Sequence, residues 1–146
     1  MEQRETGPGG QDARDTAERL YLDWEAAFSS NDLDRLLGLY AEDAVLESPL
    51  VPHLLGVERG ICRGRDELRR LFETLVIHRP WLRQYHRAGS FTDGHKVVIE
   101  YPGSTPDGEQ IDAVEVMHLR DGLIHHHKVY WGWRGVQVLA RNEYDQ

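Results

Sequence analysis

A chain with a single cysteine, here Cys62, can form no internal disulfide and no cysteine metal cluster. A reducing, cytoplasmic setting is therefore expected, with a fold held by packing. No apolar run approaches the roughly 20 residues needed to cross a bilayer. The opening MEQRETGPGGQDAR has neither the apolar stretch nor the basic start of a secretory leader, so no membrane partner is expected. Positive charge is also scarce: 17 Lys and Arg stand against 25 Asp and Glu, a formal balance of −8. That balance repels phosphate backbones and leaves no basic stripe for nucleic acid. What is present, 146 residues, matches one ordinary domain with room for a real core and is too short for two.

Residues 1–13 are polar, Gly-rich and without periodicity, and are read as a disordered tail ahead of a single domain over 14–140 and a polar tail over 141–146. Ala17, Leu20, Tyr21, Trp24 and Phe28 recur at the spacing of one helical face, with Asp15 and Glu18 placed like a capping box. Ser29-Ser30-Asn31-Asp32 breaks that helix and caps a second, striped by Leu33, Leu36, Leu37 and Tyr40. Residues 44–48 have the β-branched content of a short strand stopped by Pro49. The Pro- and Gly-containing stretch 49–64 reads as a loop and a candidate lid. Leu68, Leu71, Phe72 and Leu75 mark a third helix that ends before Pro80. Thereafter the period becomes strand-like. The pairs Asp93-Gly94, Asp107-Gly108 and Asp121-Gly122 divide the rest into segments near 82–91, 95–102, 110–120 and 123–133, a four-stranded antiparallel meander. Helices first and sheet second make an α+β fold.

The words Asn31-Asp32-Leu33-Asp34, Leu39-Tyr40-Ala41-Glu42-Asp43-Ala44-Val45 and Gly64-Arg65-Asp66-Glu67-Leu68 resemble the opening of the nuclear transport factor 2-like superfamily, in its SnoaL-like and ketosteroid-isomerase-like branch. The resemblance spans about residues 15–140. It implies a cone-shaped α+β barrel, a curved antiparallel sheet wrapped over three N-terminal helices around a small-molecule pocket. It does not carry over a reaction, because the superfamily hosts isomerases, cyclases, hydrolases, dehydratases and binding domains. The tyrosine and two aspartates of ketosteroid isomerases would fall on Trp24, Ser48 and about Val116, none of which has the matching chemistry. The acid–base aspartate of SnoaL-type cyclases would fall on Gly132, and limonene-epoxide-hydrolase-like relatives find no counterpart.

Used for strand parity alone, the same alignment turns Ile99, Tyr101, Asp112, Val114, Val116, His118, His125, His127, Val129 and Trp131 toward the pocket. His127 is the first candidate for acid–base work, because imidazole titrates near neutrality. His118 and Asp112 are the candidates to orient it or polarise a substrate. Trp24, Phe28, Tyr40, Ser48, Tyr101, Val116, Val129 and Trp131 are the candidate substrate contacts, apolar walls with a few polar tips. Plain core packing explains several of them equally well. A register slip of one, such as a bulge produces, would instead turn His126 and Glu115 inward. His125, His127 and Asp112 would suit zinc or iron, but without a third ligand at defined spacing the pattern is weak, and no metal or cofactor is expected. The arginines around Arg65 read as a solvated helix face. Tyr130, Trp133, Val136 and Val138 read as an outer-face patch suited to a homodimer.

These residues lead to three expectations: a cofactor-free isomerase, cyclase or dehydratase on an apolar, oxygen-bearing molecule; a non-catalytic binding or dimerisation module; and a metal-dependent enzyme. Scytalone dehydratases, which use histidines in a comparable pocket, supply the analogy for dehydration.

Overall fold

The computed structural model describes residues 8–78, 90–104 and 110–141. Five helices and six strands follow one another as α1 (Pro8–Ser29), α2 (Leu33–Gly38), β1 (Tyr40–Glu47), α3 (Leu50–Leu55), β2 (Ile61–Arg63), α4 (Gly64–His78), β3 (Phe91–Thr92), β4 (Lys96–Ser104), β5 (Gln110–Arg120), β6 (Leu123–Trp131) and α5 (Trp133–Ala140). The strands form one open sheet in the order β2-β1-β6-β5-β4-β3. All neighbours are antiparallel except β1 and β6, which run parallel, so the sheet is mixed where a wholly antiparallel one was expected. Helices cover one face, and Leu20, Trp24, Leu36, Leu37, Leu68, Leu71 and Phe72 bury their side chains against Leu46, Val97, Ile99, Met117 and Ile124.

The striped helices form because their apolar positions have this sheet face to bury. Asp32 caps α2 by accepting the Arg35 N–H. α1 starts at Pro8, inside the segment expected to be tail. Its first turns are held by the β3–β4 turn: a Cβ added to Gly94 would lie 2.9 Å from the Ala13 methyl, and Ala17 is fully buried. The expected lid over 49–64 is instead α3 followed by β2. Pro52 is tolerated in α3 because it falls in the first turn, where its missing N–H would have no helical partner.

The last segment also differs from expectation. Residues 133–140 are helical, and Gly135 and Val138 share their buried face. Val138 packs on Leu50, Leu54 and Trp131 and so leaves the expected outer patch, while Tyr130, Trp133 and Val136 are exposed. Of the expected meander, 82–89, the Asp107-Gly108 turn and the tail beyond Arg141 lie outside the described residues. Among the described residues no helix is long and apolar enough to cross a membrane.

Candidate functional site

The β5–β6 hairpin sets the site. Asp121 and Gly122, both at positive φ (53° and 75°), form its two-residue turn between the paired residues Arg120 and Leu123. Leu119 then pairs with Ile124, but His118 pairs with His126, so His125 is an extra residue, a β-bulge. Beyond the bulge Met117 faces His127, Glu115 faces Val129 and Ala113 faces Trp131. Without it His118 would pair with His125 and Val116 with His127, which is the register the expected pocket-facing sets assume. The bulge leaves β6 as expected and moves β5 by one residue. Ala113, Glu115 and Met117 are buried on the inner face, while Val114, Val116 and His118 occupy the other face and Asp112 is exposed.

His127 and Glu115 therefore meet. The His127 Nε2 lies 2.8 Å from a Glu115 carboxylate oxygen, with their side chains only 2% and 8% exposed. The His127 Nδ1 lies 2.8 Å from the Tyr40 hydroxyl, which accepts the Trp24 indole N–H at 3.0 Å. A polar chain thus runs from Trp24 on α1 through Tyr40 on β1 and His127 on β6 to Glu115 on β5. Indole nitrogen only donates, so the Tyr40 oxygen must accept. With Glu115 ionised and the imidazole neutral, Nε2–H donates to Glu115 and the Tyr40 hydroxyl donates to Nδ1.

Aromatic rings fix this chain in place. The Trp24 ring packs edge-on to the imidazole at 5.9 Å and stacks on Phe28 at 5.1 Å, and Phe72 leans on the Tyr40 ring. Arg65 donates through both Nε and Nη2 to the Tyr40 carbonyl, at 3.1 and 2.7 Å, which joins α4 to the start of β1. Arg65 was read as part of a solvated face, and the structure gives it this half-buried role instead.

The remaining expected site residues divide by place. Trp24 and Tyr40 pack on His127, Phe28 stacks on the Trp24 ring, and Val129 and Trp131 lie on the same inner face of β6. Tyr101 pairs with Ala113 in the backbone ladder, and its side chain lies outside the described residues. Ser48 is buried, and its hydroxyl accepts the Leu50 N–H at the start of α3. His118, Val116 and Asp112 are not brought to His127. His118 instead lies beside His126, ring centroids 5.9 Å apart, and His126 faces Glu47 at 3.3 Å. Partial burial holds the His118 imidazole below its ordinary value of 6.5, and the positive charges of Lys96, Lys128, His126 and His125 add to the effect. Among the described residues no group of three or more His, Cys, Asp or Glu side chains is arranged to hold a metal ion.

Glu115 is the functional candidate missing from the expected set. The signal for it was the inward acidic alternative of a one-residue slip, which a count through an unbulged hairpin does not select.

An α+β domain with helices on one face of an open mixed sheet and a polar pair enclosed between them is the class these features define. A family model for the SnoaL-like domain matches residues 21–127, and the chain belongs to that family. No curated protein matches it in sequence. Among solved structures, an NTF2-like protein of unknown function from Burkholderia pseudomallei superposes with a TM-score of 0.69 at 17% identity, over 85% of this chain and 96% of that one. A provisionally named ketosteroid isomerase from Kribbella flavida gives 0.63 at 17% identity, over 81% and 78%. A provisionally named polyketide cyclase from Sinorhizobium meliloti gives 0.62 at 21% identity, over 77% and 94%. At these identities the likeness is one of fold, and the fold is NTF2-like.

Proposed function

We propose that the chain is a cofactor-free enzyme that moves a proton on an uncharged, apolar, oxygen-bearing molecule, in an isomerisation, cyclisation or dehydration. Glu115 carries the proton and His127 positions it. The observation that carries this reading is the buried Glu115–His127 pair, which with Ser48 makes up the buried polar and charged residues among those described. Enclosing such a pair costs several kcal/mol of desolvation, and well-packed apolar residues often serve stability as well or better. A pair kept on those terms fits a chemical role.

Both imidazole nitrogens of His127 already face partners, so His127 has no ring atom left for a ligand unless one of those contacts opens. Glu115 is the more exposed member of the pair. A carboxylate held by an imidazole is a suitable base for a proton beside a carbonyl, and a suitable acid for returning it. The absence of Lys and Arg among the buried residues described favours a neutral substrate over an anionic one. The isomerase and cyclase names of two fold neighbours fit this chemistry.

The test is deuterium exchange from D₂O into a panel of apolar ketones, phenols and polyketide fragments, followed by NMR. The wild-type chain should exchange at least one compound above buffer, and Glu115→Gln, which keeps the shape, should lose roughly 10²-fold or more. If compounds bind but Glu115→Gln exchanges them as fast as wild type, or if none is exchanged or bound, the chain is a binding or dimerisation module of this fold.

A further inference from the structure

A concavity lies apart from the His127–Glu115 pair. The C-terminal end of α3, the connection to β2, β2 itself and the first turns of α4 enclose an open cleft of about 460 Å³. Leu55, Val57 and Ile61 provide its apolar wall, and Cys62 lies at its floor, buried. The cleft is large enough for a small aliphatic chain. Its charged residues are not equivalent. The Glu67 carboxylate accepts the Arg63 N–H, and Glu58 is exposed at the rim.

Arg59 and Arg70 line the same cleft, and neither makes a side-chain hydrogen bond or ion pair among the described residues. Elsewhere Arg35, Arg69 and Arg120 pair with Asp23, Asp34 and Asp43. In a chain with eight more acids than bases by formal charge, two unpaired guanidinium groups beside one apolar wall are a ready receptor for an anion, since Arg matches a carboxylate with two parallel N–H donors. At the floor, burial pushes the Cys62 thiol up to about 11, Glu67 adds to that shift, and the charge of Arg70 opposes it.

The geometry points to a binding site for an amphipathic carboxylate, with its aliphatic tail against Leu55, Val57 and Ile61 and its head between Arg59 and Arg70. The site is independent of the proposed chemistry, because Leu46 stands between Cys62 and His127 in the same cross-strand row.

Cys62, the single cysteine, gives a local readout. Calorimetry with decanoate, decanol and decyltrimethylammonium on the full chain would be run beside the rate of Cys62 alkylation by iodoacetamide at alkaline pH. Decanoate should bind at least about tenfold tighter than the other two and slow the alkylation. The double variant Arg59→Gln/Arg70→Gln, with both changes at exposed positions, should weaken decanoate about tenfold and leave decanol unchanged. Equal affinity for decanoate and decanol, unchanged decanoate binding by the double variant, or binding without protection of Cys62 would each overturn the assignment. None of these readouts passes through Glu115 or His127, so their outcome is separable from the deuterium-exchange test.

Discussion

His126 and His127 are consecutive residues, and each faces a carboxylate, yet the two pairs occupy opposite regimes. On the inner face His127 and Glu115 are 2.8 Å apart and almost sealed from solvent. On the outer face His126 and Glu47 are 3.3 Å apart with side chains 30% and 42% exposed, and the His126 Nε2 makes no hydrogen bond of good geometry. Although that ring nitrogen is itself covered, water reaches the partly exposed side chains around it, Glu47 most, and screening leaves the second pair worth little. The first has no water to fall back on, so each member depends on the other. The difference shows that the sheet face, more than residue type, decides what a histidine–carboxylate contact contributes.

The sharpest way to break this contrast is to truncate both acids. Glu115→Ala should destabilise the fold by about 3 kcal/mol, because it leaves a buried imidazole N–H unsatisfied and opens a cavity, whereas Glu47→Ala should cost less than about 1 kcal/mol. Urea denaturation of the two variants measures both, and equal losses would erase the distinction between the faces. Tyr40→Phe comes next. It removes the oxygen that accepts the Trp24 N–H and faces His127 Nδ1, and should cost about 1–3 kcal/mol in the same assay.

The smallest effect concerns pH on the outer face. His118 has a folded value below its ordinary 6.5. As pH falls below about 6.5 the unfolded chain therefore takes up a proton that the folded chain still refuses, and stability declines until the folded value is passed. Above 6.5 both states are neutral there and His118 contributes no slope. Thermal unfolding from pH 7.5 to 5 should show a shallower acid-side decline in His118→Asn than in wild type. An identical slope would mean that neither burial nor the surrounding charges hold His118 below its ordinary value.

Much of this architecture was legible in the chain because its signals are local. The stripes through Leu20, Trp24, Leu36, Leu37, Leu68 and Leu71 predicted helices that bury those residues, and Asp121-Gly122 marked its hairpin turn. The misses share a different cause. Pro49 and Pro52 suggest a loop, and only their places at the N-cap and in the first turn of α3 make them harmless. α5 was hidden because Val136 and Val138 alternate like a strand, while the helical face that is buried pairs Val138 with a glycine. The Trp131 ring packs so close to Gly135 that an added Cβ would lie 2.6 Å from it. At the site, Trp24 and His127 were identifiable by type and face, and Tyr40 by type alone, since it was read on a helical stripe and instead begins β1. Glu115 was not, because one bulged residue in β6 decides which residues of β5 point inward, and no side chain near it announces a bulge.

That extra residue has a consequence for how the protein can vary. In an evenly paired strand, three histidines in a row would place the outer two on one side and the middle one on the other. Here the bulged His125 takes up one position of the run, and the following two are sorted to opposite faces. A slip of β6 by one residue would turn His126 inward where His127 now sits. The run His125-His126-His127 is in that sense a reserve: the strand can lose its place by one step and still offer an imidazole to the interior.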